Sequence, residues 1–201
     1  MRKLYRAIVP LALAALIFGI SCNHLDPQSI TDSFSRHLAD SANRVERGRY
    51  LVSTMGCDDC HSPKKMGPRG PEVDTNLRFS GYPSDRRLPD VALAAVGNWV
   101  LFSGDLTAAV GPWGVSFAAN ITSDATGIGN WTEAQFIRCL REGKWKGLEG
   151  RPLLPPMPWQ NFGKLTDHDL RSIFAYLKTT KPVANSVPQP IPVAELRSTG
   201  K

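Results

Sequence analysis

The stretch GCDDCHSPKKMG, residues 56–67, sets two cysteines three positions apart with a histidine directly behind the second. Positions i and i+3 lie on one face of a helical turn, so Cys57 and Cys60 present their thiols to the same side. Asp58 and Asp59, between them, read as a solvated spacer. The chain holds four cysteines, so the use of this pair decides much of what the rest can be.

The compartment comes first. Residues 1–21 carry Arg2, Lys3 and Arg6, no acid, and an apolar run from Ala7 to Ile20. That run falls short of the ~20 residues that span a bilayer, and Pro10 interrupts it. It reads as a secretory signal peptide. The segment ends in GISC, a partial match to a bacterial lipobox with Gly19 where leucine is more usual. Cys22 is then the candidate lipidation site, with ordinary cleavage nearby and an uncleaved anchor as the alternatives. All three lead across the inner membrane, so a periplasmic or extracytoplasmic location is expected, with a lipid anchor at Cys22.

Composition agrees with a folded, exported protein. A chain of 201 residues with 42% hydrophobic and 21% charged residues is globular and long enough for one domain plus appendages. The formal charge is +6. Three of those charges sit in the leader, and the remainder form no basic cluster interleaved with aromatics. Nucleic-acid binding is excluded on that ground.

Exported proteins ordinarily pair their cysteines. With Cys22 lipidated or removed, Cys57, Cys60 and Cys139 remain. Cys139 lies in a predicted helix beside Phe136, Ile137 and Leu140, where a free cysteine acts as a small buried hydrophobe. A redox dithiol would open a helix after a strand in a βαβ setting, and no alternation of strands and helices is visible. A structural zinc site needs four nitrogen or sulfur ligands, and His24, His37 and His168 supply no second pair. The third use leaves nothing over: C-x-x-C-H is the attachment signature of c-type haem. Two thiols on one helical face meet the two vinyl groups of one porphyrin edge, and His61 falls where its ring reaches the iron. One imidazole nitrogen ligates and the other donates to an acceptor that orients the ring. The Pro63 carbonyl is the expected acceptor.

The opposite side of the iron needs a ligand or stays open. Met1 belongs to the leader, and Met55 and Met66 lie too near the motif to wrap to the far face. Met157, in GRPLLPPMPWQNF, is 96 residues downstream of His61. Prolines at 152, 155, 156 and 158 fix φ and bar regular structure, giving a stiff loop that holds one side chain at a set reach. A methionine also fills core gaps, but the proline frame and the lack of a rival point to ligation.

The flanking segments read as helices. TDHDLRSIFAYLKTT starts with a Thr166–Asp169 pair like a capping box and aligns Leu170, Ile173, Phe174 and Leu177 in one stripe. SANRVERGRYLVSTMG sets Val45, Gly48, Val52 and Met55 on one face. Gly48 costs about 1 kcal/mol of helix propensity against alanine, and its lack of a side chain lets the C-terminal helix approach closely. NWTEAQFIRCLREG is a third helix, capped by Thr132 with Gln135 three residues on.

With GCDDCH at 56–61, the helix pair at either end and Met157, the chain resembles the class I c-type cytochromes over about residues 43–180. GPWGVSFAANIT, TGIGNWTEAQFIRCLREGK, LPPMPW and LTDHDLRSIFAYL are similar to exported bacterial cytochromes c of the dehydrogenase-associated type. The resemblance implies an all-α cytochrome c fold with helices wrapped round one haem c. It implies Cys57 and Cys60 as thioether sites, His61 as proximal and Met157 as distal ligand, and electron transfer as the activity. A single C-x-x-C-H gives no support for a second haem. The expected organisation is a leader at 1–21, a linker at 22–42, the cytochrome domain at 43–180 and a proline-rich extended tail at 181–201.

One stretch departs from a small cytochrome. The connection from Ser62 to Asn120 is long and mostly loop chemistry, and long structureless loops are uncommon, so it is expected to pack over the haem edge. NWVLFSGDLTAAV reads as a short β-hairpin turning at Gly104-Asp105. Arg69, Trp113 and Trp159 either line the haem edge or serve ordinary packing and solvation.

A methionine ligand raises the reduction potential, and two occupied axial positions leave no site for oxygen. The expected function is therefore a non-enzymatic carrier of single electrons, touching a dehydrogenase, another cytochrome or a terminal oxidase through a small transient interface. The alternatives are a haem enzyme or gas sensor with a labile Met157, and a cytochrome subunit of a dehydrogenase complex.

Overall fold

The computed structural model describes residues 27–90 and 98–198. The leader and Cys22 lie outside them. Contacts divide the chain into two units, Met1–His37 and Leu38–Lys201. Of the first, the described part is helical.

Helix α1 runs Pro27–Thr54, so regular structure begins inside the segment expected to be a linker. It stops at Gly56, whose φ of 71° suits a residue without a β-carbon. Helix α2, Cys57–His61, is a single turn holding the whole attachment motif. The chain then forms two small sheets. Strands β1 (Lys64–Gly67) and β2 (Gly70–Val73) make a hairpin with Lys64 opposite Val73. Strands β3 (Leu101–Phe102), β4 (Ala108–Gly111) and β5 (Gly114–Phe117) form an antiparallel meander. The expected hairpin around Gly104-Asp105 is its first half, with Leu101 opposite Val110.

The remaining elements are helical. Helix α3 is Glu133–Glu142, α4 Trp159–Phe162, α5 Asp167–Lys178 and α6 Val193–Ser198. Thr132 and Gln135 close a reciprocal capping box on α3, while on α5 the Thr166 side chain accepts from the Asp169 amide. The architecture is thus helices plus two small sheets, with more strand than the one short hairpin expected within a helical fold. The reason is local: β-branched and apolar residues between turn formers in 99–117 satisfy their backbone groups more readily as a meander than as helix.

One hydrophobic cluster positions the site. Leu51 and Val52 of α1, Phe79, Ile128, Phe136 and Leu140 of α3, and Leu170, Ile173, Tyr176 and Leu177 of α5 are all buried. Of the expected α5 stripe, Leu170, Ile173 and Leu177 are buried and Phe174 is half-buried, while Tyr176 joins them. At Gly48, a β-carbon would lie 1.9 Å from the Ser172 carbonyl oxygen and 2.7 Å from Tyr176 Cβ. The glycine therefore sets the spacing of α1 and α5, as its placement on an apolar face suggested. A second, smaller cluster joins Val110, Val115 and Leu196.

The segment after α5 is extended through 190 but strapped down. Ile191 bridges to Val115. Asn185 is buried, donates to the Ser80 and Tyr82 carbonyls at 2.7 and 2.9 Å, and accepts from the Ser84 amide at 2.9 Å.

Candidate functional site

The motif is gathered on α2, where Cys57 and Cys60 are both free and partly buried. Burial, with the Asp58 charge adding to it, pushes the Cys57 thiol up to about 12; burial also raises Cys60. Thiols held protonated at neutral pH are the opposite of an activated redox dithiol, whose nucleophile needs a lowered pKa. Among the described residues no group of three His, Cys, Asp or Glu side chains could hold a metal.

His61 is oriented from an unexpected quarter. Its Nδ1 lies 2.8 Å from the Ala119 carbonyl oxygen. A carbonyl only accepts, so Nδ1 carries the proton, and in the neutral ring Nε2 keeps a lone pair for a metal. The Pro63 carbonyl, the acceptor expected from the sequence, instead receives the Asp74 amide at 2.8 Å. Proximity in sequence suggested Pro63; the return of the chain after β5 brings Ala119 to the ring. Burial lowers the His61 pKa, outweighing the bond to Ala119, which keeps the imidazole neutral and able to ligate.

Asp58 is no solvated spacer. Arg78 donates to it through Nε at 2.9 Å and Nη2 at 2.6 Å, and the Ser62 hydroxyl donates at 2.7 Å. Burial works to raise the carboxyl, but Arg78 and Ser62 together hold it below its ordinary value. Ser62, fully buried, accepts in turn from the Phe79 amide at 2.9 Å. Phe79 sits at φ 65°, a conformation that costs a non-glycine residue about 1–2 kcal/mol, and the Ser62 bond is one of its restraints. Its ring stands edge-on to Tyr176 at 6.5 Å with the Arg78 guanidinium 4.4 Å from its centroid. Lys64 caps the turn by donating to the Asp58 carbonyl at 3.0 Å and to the Asp59 carbonyl. The long connection thus wraps the attachment turn, through partners that no sequence spacing marks.

Met157 is partly buried and packs against the same hydrophobic cluster as Cys57. Its loop is framed by a folded-back segment: Leu153 donates to the Gly143 carbonyl at 2.6 Å, and Lys144 bridges to Pro152. Trp159 lies against Gly143, where a β-carbon would meet the indole at 2.4 Å. The other residues singled out from the sequence are placed as follows. Arg69 is exposed in the β1–β2 turn, and Trp113 donates from Nε1 to the Ser116 hydroxyl at 3.2 Å. Cys139 is buried on α3, its thiol pushed up to about 11 by burial.

The residues present fit a covalently held haem. Two thiols sit on one helical turn and an imidazole is held by one nitrogen, leaving Nε2 without a hydrogen-bond partner among the described residues. A thioether shares the cluster that receives Cys57.

The chain is 40% identical over 151 residues, 74% of its length, to a nicotinate dehydrogenase subunit of Pseudomonas putida, matching 10% of that protein. It is 32% identical over 147 residues, 71% of its length, to the fructose dehydrogenase cytochrome subunit of Gluconobacter japonicus, matching 23% of that protein. It is 30% identical over 160 residues, 78% of its length, to the gluconate 2-dehydrogenase cytochrome c subunit of Pantoea cypripedii, matching 28%. The chain therefore spans between a tenth and just over a quarter of the curated relatives it matches. No family model matches it. Its homologues include cytochrome c subunits of dehydrogenases, and that likeness supports a c-type cytochrome.

Proposed function

We propose that this chain is the mono-haem c-type cytochrome component of an extracytoplasmic dehydrogenase system, passing single electrons from the dehydrogenase to a further acceptor. The similarity to dehydrogenase cytochrome subunits favours this reading over a free-standing carrier. In this proposal Cys57 and Cys60 are the thioether sites, His61 the proximal ligand and Met157 the distal ligand. Residues 1–21 act as a leader, and Cys22 as the point of lipid attachment.

The observation that carries the reading is the one-turn helix bearing both cysteines, with His61 locked as an Nδ1–H donor to Ala119. A haem bound there supplies one-electron exchange at iron. The protein's part is to hold the ligands still. The carbonyl fixes the imidazole plane and raises its basicity, and the Arg78–Asp58–Ser62 network keeps the turn from fraying. Thioether coordination favours the reduced metal and raises the potential. With His61 and Met157 both holding the iron, small ligands would find no open place, which would suit electron transfer and not oxygen chemistry.

The test is an optical spectrum of the oxidised protein carrying its haem. A far-red sulfur-to-ferric charge-transfer band is expected, absent from Met157→Ala, with pigment that stays on the polypeptide in acidified organic solvent. Pigment extracted by that solvent would refute covalent attachment.

A further inference from the structure

The loop that carries Met157 is short of its own means of support. Pro152, Pro155, Pro156 and Pro158 have no amide hydrogen, so between 152 and 158 the only backbone donors are Leu153, Leu154 and Met157. Leu153 is used on Gly143, and Met157 makes a long 3.3 Å bond to the Leu154 carbonyl. Pro155, Pro156 and Pro158 are exposed, so apolar packing does little at those positions. The carbonyls of Leu154, Met157 and Pro158 accept from amides within the next few residues, whereas the Pro155 carbonyl takes its donor from elsewhere.

The three-stranded sheet supplies one. The Ser116 hydroxyl, on β5, lies 2.6 Å from the Pro155 carbonyl oxygen, two residues before Met157. Ser116 is 7% exposed, so the donor end of this bond is shielded from competing water. Its other acceptor within reach, the Ala109 carbonyl, is at 3.4 Å, and a hydroxyl has one hydrogen to give. Trp113 Nε1 donates to Ser116 Oγ at 3.2 Å. That occupies an oxygen lone pair and leaves the hydroxyl hydrogen directed to Pro155. The indole is held in turn by Gly111, where a β-carbon would come within 2.6 Å of the ring. The β5 strand is pinned on its other side through the reciprocal Val115–Ile191 bonds at 2.8 and 3.0 Å.

We propose that Trp113 and Ser116 form a latch, built into the sheet between residues 101 and 117, that holds the Pro155 carbonyl and so keeps Met157 at its coordinating position. Ser116 is a positioning residue acting through the loop. The inference rests on Met157 being the distal ligand. It gives the sheet a function: its end strand steadies the loop that presents Met157.

The experiment uses the intact haem-loaded protein and reads ligand lability. Carbon monoxide binding to the reduced protein is timed for wild type, Met157→Ala, Ser116→Ala, Ser116→Thr and Trp113→Phe, with the charge-transfer band followed against temperature. Loss of one neutral hydrogen bond corresponds to about tenfold in an opening equilibrium. Ser116→Ala is therefore expected to bind carbon monoxide about tenfold faster than wild type and to lose the band well below its global unfolding temperature. Trp113→Phe should move the same way by a smaller factor, and Ser116→Thr, which keeps the hydroxyl, should return to wild type. If Ser116→Ala does not fold, Trp113→Phe alone carries the test. A wild-type band that Met157→Ala abolishes, joined to a binding rate in Ser116→Ala or Trp113→Phe within about twofold of wild type, overturns the latch while leaving the ligand. A wild type without the band, or one unchanged by Met157→Ala, overturns the ligand and the latch with it.

Discussion

His61 and Met157 lie in segments held by opposite kinds of support. Around His61 the restraints are enclosed. Ser62 is fully buried, Asp58 receives a bidentate guanidinium, and the imidazole nitrogen meets a carbonyl brought from 58 residues away. Around Met157 most of the polar support is at the surface. Glu149, which pairs with Arg138 and Lys144 beside the loop, has a side chain 75% exposed. Solvent screens such pairs until their net contribution is small. The proline frame, the Leu153 bond to Gly143 and the Ser116 bond to Pro155 are left to hold the thioether. As the proposed ligands of one iron, His61 and Met157 would differ in lability for reasons that lie in the polypeptide: one is set in a shielded network, the other in a braced loop.

The largest effect expected from breaking this arrangement lies behind the His61 side. Gly48→Ala would drive a β-carbon to within 1.9 Å of the Ser172 carbonyl, a backbone atom on a packed helix that cannot swing away. Overpacking of this kind costs about 1–3 kcal/mol and occasionally more. A thermal melt should show a large fall in midpoint, and a variant as stable as wild type would mean that α1 and α5 are not in close contact.

Ser62→Ala comes next. It strips the acceptor from the Phe79 amide and one donor from Asp58 in a buried setting, for a loss of about 1–3 kcal/mol. Denaturant unfolding measures this directly. A cost near zero would erase the contrast between the two sides.

Acid provides a finer probe of the sheet that carries Ser116. Asp105 is buried at the turn between β3 and β4. Burial alone would raise its carboxyl, but Arg86, Thr107 and Ser103 donate to it and hold it below the ordinary value. A group depressed in the folded state adds stability that is present above its unfolded pKa, about 3.9, and that is lost as pH falls through the folded value. Stability measured from pH 6 downward should decline in this window, and Asp105→Asn should flatten part of the decline while lowering stability at neutral pH. An unchanged slope would remove Asp105 from the account.

The smallest effect is expected for Glu149→Gln. Because its own carboxylate faces water and its partners are partly exposed, its melting curve should overlay that of wild type. A shift as large as that of Ser62→Ala would show that surface pairs, and not the prolines and Ser116, secure the Met157 loop.

Much of this was legible in the chain itself wherever the physics is local. The α3 capping box, the α5 stripe, the buried Cys139 and the hairpin through Gly104-Asp105 all follow from neighbours within a few positions. So does the close approach at Gly48, since a glycine on an apolar helix face has few other uses. The misses share one property. Asp58 looked like a spacer because its partner is Arg78, 20 residues on, and the His61 acceptor was sought at Pro63 because Ala119 is not a neighbour in sequence. A carbonyl oxygen or a serine hydroxyl carries no signature in a sequence, since almost every residue offers the first and many positions the second.

The order of residues alone determined what chemistry is available: two thiols on one turn, an imidazole behind them, one thioether in a proline frame, and the apolar periodicity that folds helices against them. The tertiary structure alone decided how these groups are held: which carbonyl turns the imidazole, which guanidinium clamps the motif, and which hydroxyl meets the loop before Met157. Covalent spacing and side-chain pattern act over a few residues and can be read along the chain. Hydrogen-bond partners drawn from distant segments exist only once the backbone has returned to bring them within about 3 Å.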